Sequence, residues 1–189
     1  MRIFLKKAVY SAVLVLLTGV AIVHAKDDDV LGDGMGDQFG FVPGKSWNEA
    51  NVPLPDLPAE SELLNLKIFE MPHYKYYIDT KSLDVSAGDN VARYLIIVEP
   101  PSGLRNMFYE GIRCDTREYK TYASSLWGQP LSPLREPQWS RIADNGLTVY
   151  RYDLFKYFLC SNSIIKGKKK EILHSIEYPP DNFIEEELE

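Results

Sequence analysis

Cysteine is scarce. The 189-residue chain has two, Cys114 and Cys160. No C-x-x-C pair exists and no histidine sits beside either, so a zinc ribbon or a thioredoxin-type redox pair has no support. In an exported chain a lone pair most simply forms one disulfide. Closing its loop of about 46 residues contributes roughly 4 kcal/mol in the chain-entropy model. Histidine is almost as rare. Of three, only His73 and His174 lie beyond the N-terminal segment, and neither has an H-x-x-x-H neighbour. A metal site would need the fold to join them with a carboxylate, so no metal and no cofactor is expected. There is no G-x-S-x-G, and disulfide pairing leaves no free thiol. Nucleophilic catalysis therefore lacks its usual signature. Internal repeats are absent too. After residue 23 no long apolar run recurs.

The first 25 residues read as an export signal. Arg2, Lys6 and Lys7 form a positive n-region, Ala8 to Val23 is mostly apolar, and Val23-His24-Ala25 approximates a cleavage site before Lys26. The apolar stretch is short for a membrane span of about 20 residues. Cleavage after Ala25 would give a soluble periplasmic protein with no stable membrane insertion. Three of the 21 basic residues leave with the signal, against 27 acidic ones that stay. That acidic balance disfavours nucleic acid and anionic membrane surfaces as partners.

Residues 26–60 form an acidic, Gly/Pro-rich leader with little apolar periodicity, expected to be largely extended or disordered. Trp47 and Val52-Pro53-Leu54-Pro55 could dock it as an extended strap. Two apparent motifs fail here. Gly44-Lys45-Ser46 ends like a phosphate loop, but Phe39 stands where its first glycine belongs. Asp27 and Asp29 are followed by Leu31 where a calcium loop needs another ligand.

Residues 61–178 form the folded domain. Leu64, Leu66 and Ile68 alternate with polar residues as a half-buried strand. Tyr74 to Asp79 is a second strand. Asn90 to Cys114 is a hairpin turning at Pro100-Pro101-Ser102-Gly103, and Glu118 to Leu126 is a further strand. In that last strand Tyr119, Thr121 and Ala123 should share one side, with Lys120 and Tyr122 on the other. Gln138 to Ala143 reads as one helical turn joining Trp139 and Ile142. Tyr150, Leu154, Tyr157 and Phe158 mark the main helix, ending at Cys160. Glu171 to Ile176 is a short second helix, and residues 179–189 an acidic, disordered tail. The expected fold class is α+β: an antiparallel sheet of about four to six strands, one main helix on one face, and a single disulfide.

A four-residue loop from Pro100 to Gly103 would set Glu99 against Leu104. Arg93 then faces Glu110, Leu95 faces Phe108 and Tyr94 faces Tyr109, which matches charge to charge and apolar to apolar. Arg93, Leu95, Phe108, Glu110, Ile112 and Cys114 would share the face covered by the helix.

Several of these residues recur in one pattern: Arg93-Tyr94, Ser102-Gly103, Asn106, Tyr109 to Cys114, Tyr119-Lys120, Tyr122-Ala123, Trp139 and Cys160. From about Leu64 to Ile176 the chain resembles the cryptic neisserial protein one-like family. The resemblance implies an exported bacterial envelope protein of unassigned function, with no catalytic residue to carry over.

The polar residues Arg93, Glu110, Arg113, Lys120 and Tyr122 form the one candidate constellation. It reads either as an anion-binding patch or as cross-strand charge pairs. Three functions follow. The first is a non-catalytic binding or assembly module with an envelope protein partner or small ligand. The second is a hydrolase or transferase built on the Arg/Glu/Lys/Tyr cluster. The third is a carrier for a small apolar or anionic ligand.

Overall fold

The computed structural model describes residues 46–68, 70–181 and 183. The export signal, the aspartate cluster, Gly44-Lys45 and residues 184–189 lie outside the described residues. The core is one antiparallel sheet in sequence order: β1 (Leu63–Leu66), β2 (Lys75–Asp79), β3 (Val91–Glu99), β4 (Asn106–Arg113) and β5 (Glu118–Leu126). Two short edge strands, β6 (Ser132–Pro133) and β7 (Ser140–Arg141), both pair with β5. The main helix starts as α1 (Tyr150–Asp153) and widens into a π-helical stretch, Leu154–Leu159, where Cys160 N–H reaches back to the Phe155 carbonyl. A small hairpin follows, β8 (Cys160–Ser161) and β9 (Ile164–Ile165), and then α2 (Lys169–Glu177).

The sheet separates two apolar clusters because neighbouring side chains in a strand point to opposite faces. One face carries Ala92, Tyr94, Ile96, Ile112 and Cys114, packed under Tyr150, Leu154, Tyr157 and Phe158 of the helix. The other carries Leu95, Ile97, Met107, Tyr109 and Ala123. Cys114 and Cys160 form the disulfide, with Cα atoms 5.5 Å apart, and so tie the end of β4 to the end of the helix. Asn90, at φ 60°, holds the β8–β9 turn through hydrogen bonds to Ser163 and from Ile165. Phe183, read from the sequence as part of the tail, is fully buried against Tyr157 and Phe158.

The register expected for the hairpin is off by one. Tyr94 pairs with Glu110 and Arg93 with Gly111. Leu104, 57% exposed, belongs to the loop, and the Glu99 carboxylate meets Arg105 at 2.6 Å beyond it. A one-residue slip sends each side chain to the opposite face. Arg93 and Leu95 therefore leave the helix side, while Glu110 stays there.

The expected alternation in β5 also breaks. Glu110 pairs with Thr121 but Tyr109 pairs with Ala123, so Tyr122 is the extra residue of a β-bulge. Ala123 consequently joins the Tyr109 face. The expected helical turn at Gln138 to Ala143 is instead the edge strand β7, with Tyr119 paired to Ser140. The β5 edge offered ladder hydrogen bonds that a single isolated turn could not match. Extended geometry then parts Trp139 from Ile142. Ile142 enters the helix-side core and Trp139 turns to the opposite face.

Candidate functional site

Residues 46–59 contain no helix or strand. They lie as a strap against the sheet face that bears Arg93 and Tyr109, fixed by a few side chains. Trp47 donates its indole N–H to the Asp89 carbonyl at 2.8 Å, and the Arg113 guanidinium lies 3.8 Å over its ring. The Ala50 N–H donates to an Asp89 carboxylate oxygen at 2.8 Å.

Asp89 also receives two bonds from Arg93, at 3.1 and 2.5 Å. Arg93 is 1% exposed and further donates to the Ala50 carbonyl. A bidentate arginine–carboxylate pair is the strongest of the common ion-pair geometries. Burial alone would raise the Asp89 carboxyl, but bonds from Arg93 and the Ala50 N–H outweigh it and hold it below its ordinary range.

Glu49 is the strap's second anchor. Its carboxylate accepts from Lys120 Nζ at 2.7 Å, Tyr122 OH at 2.8 Å and Trp139 Nε1 at 3.3 Å. Burial again raises this carboxyl, and the Lys120 and Tyr122 bonds with the Lys120 charge more than offset it, so its pKa is lowered. Tyr122 is pushed well above the ordinary tyrosine range, first by burial and then by its bond to Glu49. Its position depends on the bulge and on Gly111. A Cβ on Gly111 would lie 2.7 Å from the Tyr122 hydroxyl and 2.8 Å from Val91 Cγ1.

Between strap and sheet lies an open cleft of about 360 Å³. Arg93, Tyr109, Lys120 and Tyr122 line it from the sheet; Glu49, Ala50, Asn51, Val52 and Leu54 line it from the strap. That size and mixed lining are typical of ligand pockets.

Of the five residues singled out by sequence, Arg93, Lys120 and Tyr122 meet at this cleft. Arg113 stands at the end of the same face, bonded to Asp115 and stacked on Trp47. Glu110 does not join them. It is fully buried on the helix side, where Arg151 donates to both carboxylate oxygens, at 3.0 and 2.5 Å. Thr121, Tyr150 and Tyr94 donate to it as well. Burial, and then the Glu110 charge, push Tyr94 and Tyr150 well above the usual phenol range. This saturated pair has no access to the cleft residues. Sequence reasoning missed Asp89, Glu49 and Arg151 as partners. The Asp89-Asn90 turn and the docking of Trp47 were the only local signals. Among the described residues, no three His, Cys, Asp or Glu side chains converge as a metal would require, and no helix is long and apolar enough to cross a membrane.

Fold and site together define an α+β sheet domain, closed by one disulfide, with a polar cleft between its own strap and one sheet face. The chain belongs to the CNP1-like family, whose model matches residues 42–177. The match takes in the strap, upstream of the Leu64 start read from the sequence. No curated protein and no solved structure matches the chain.

Proposed function

We propose that this is an exported, periplasmic cell-envelope protein that works as a non-catalytic binding module, with the cleft beneath the strap as its binding site. One observation supports this above others. The sheet face already holds an extended chain segment, through hydrogen bonds to Asp89, Arg93 and Tyr122 and an ion pair to Lys120. Lys120 pairs with the strap's Glu49, while Arg93 is held by Asp89 and meets the strap at the Ala50 carbonyl. A hydrolase or transferase reading of the original cluster loses its acid–base member, because Glu110 and its Arg151 partner lie across the sheet.

Native mass spectrometry of the protein purified from its own envelope tests the reading. The wild-type chain should begin at Lys26 and carry a bound species. Val52→Trp, which fills the cleft, should abolish that species. A bound species held equally by both chains, or by neither, would contradict the assignment.

A further inference from the structure

Glu49 sits where a ligand would sit. Three donors from two separate segments converge on one carboxylate: Lys120 and Tyr122 from β5, and Trp139 just before β7. The bulge presents Tyr122 and Gly111 leaves it room. The acceptor, by contrast, stands on a segment with no regular structure. Beside it the cleft contains polar capacity that the strap does not use. Tyr109 is 3% exposed and lines the cleft, its ring 5.4 Å from that of Tyr122. Lys120 gives Glu49 one of its three N–H donors.

We propose that Lys120, Tyr122 and Trp139, beside the cleft wall at Tyr109, form a receptor for the carboxylate of an acidic peptide segment in extended conformation, and that the strap occupies this receptor in cis. The inference rests on the binding reading above and names its ligand class. The strap shows what fits. An aromatic side chain two residues before the acid stacks on Arg113, and apolar side chains three and five residues after it line the cleft. A peptide supplying the same groups exchanges with the strap at no loss of ion pairing. Tethering sets the threshold. A cis segment competes at an effective concentration on the order of millimolar, so a partner must be locally abundant or bind more tightly than the strap.

The test uses a labelled peptide of residues 46–55 and the full mature chain carrying Trp47→Ala and Glu49→Ala, which loosens the resident strap. Saturable binding is expected. Changing the peptide's Glu49→Gln should weaken it by at least about tenfold, or about 1.4 kcal/mol. Lys120→Met in the chain should do the same. Equal binding of both peptides, or none by a variant that retains its near-UV dichroism, overturns the proposal. Should the loosened variant not fold, hydrogen exchange on the wild-type chain decides. Excess peptide should speed exchange in residues 46–52 several-fold, and unchanged exchange overturns the proposal. Free glutamate displacing the peptide at equal concentration would make the ligand a small carboxylate and overturn the peptide class. A wild-type chain that carries an envelope ligand in the cleft yet refuses the acidic peptide defeats this inference alone.

Discussion

Arg93 and Glu110 show how a buried charge finds its partner. Each is almost wholly desolvated, and a buried charge persists only with a well-placed counter-ion and further hydrogen bonds. Arg93 takes Asp89 at the near end of its own strand, and Glu110 takes Arg151 from the helix. Removing one member of either pair should cost about 3–5 kcal/mol. A double-mutant cycle on chemical denaturation separates the pairings. Arg93→Ala with Asp89→Ala should be strongly non-additive. Arg93→Ala with Glu110→Ala should be far closer to additive, because their side chains lie on opposite sheet faces and share no partner. Gly111→Ala should destabilise the fold by roughly 1–3 kcal/mol, since the new methyl group meets Tyr122 and Val91 below contact distance. Denaturation midpoints, with loss of the Tyr122–Glu49 contact by NMR, check this.

The strap is held by two carboxylates whose titration is linked to its docking. Asp89 and Glu49 both titrate below their ordinary values in the folded chain. Their contribution is complete above the unfolded carboxylate range, about pH 4, and is lost as pH falls through the lowered folded values. Acid, not base, should therefore release residues 46–52. Hydrogen exchange across that range should show the strap opening before the sheet, and Asp89→Asn should open it already at neutral pH. On the opposite face the disulfide ties β4 to the helix end. Cys114→Ala with Cys160→Ala should lower stability by about 2–4 kcal/mol, and an unchanged melting temperature would rule out that role.

Much of the fold is legible in the sequence. Glu118–Leu126 is a strand over the expected residues, the main helix begins at Tyr150 as its apolar spacing required, and the two cysteines pair. What failed was decided by single residues. Leu104 joins the loop and shifts the hairpin register by one. Tyr122 bulges out and flips Ala123. The charge-matching argument chose the wrong register because it considered only the two strands. The true partners, Asp89 and Arg151, come from a turn and a helix that cross-strand pattern cannot see. Trp47 was legible as a docking residue, but Glu49 had no periodicity to mark it.

At the scale of the whole molecule, the two sheet faces divide the work. The helix face is a packed core that holds the Glu110–Arg151 pair and the disulfide. Among the described residues, the other face carries the strap and keeps an open cleft beneath it. Site-specific photo-crosslinking in intact cells tests that division most directly. Two exposed leucines serve as probes: Leu54, on the cleft wall, and Leu147, in the turn leading into α1. A crosslinker at Leu54 should give a discrete adduct and one at Leu147 should give none. Adducts at both positions alike, or at Leu147 alone, would contradict the assignment of the strap face as the binding surface.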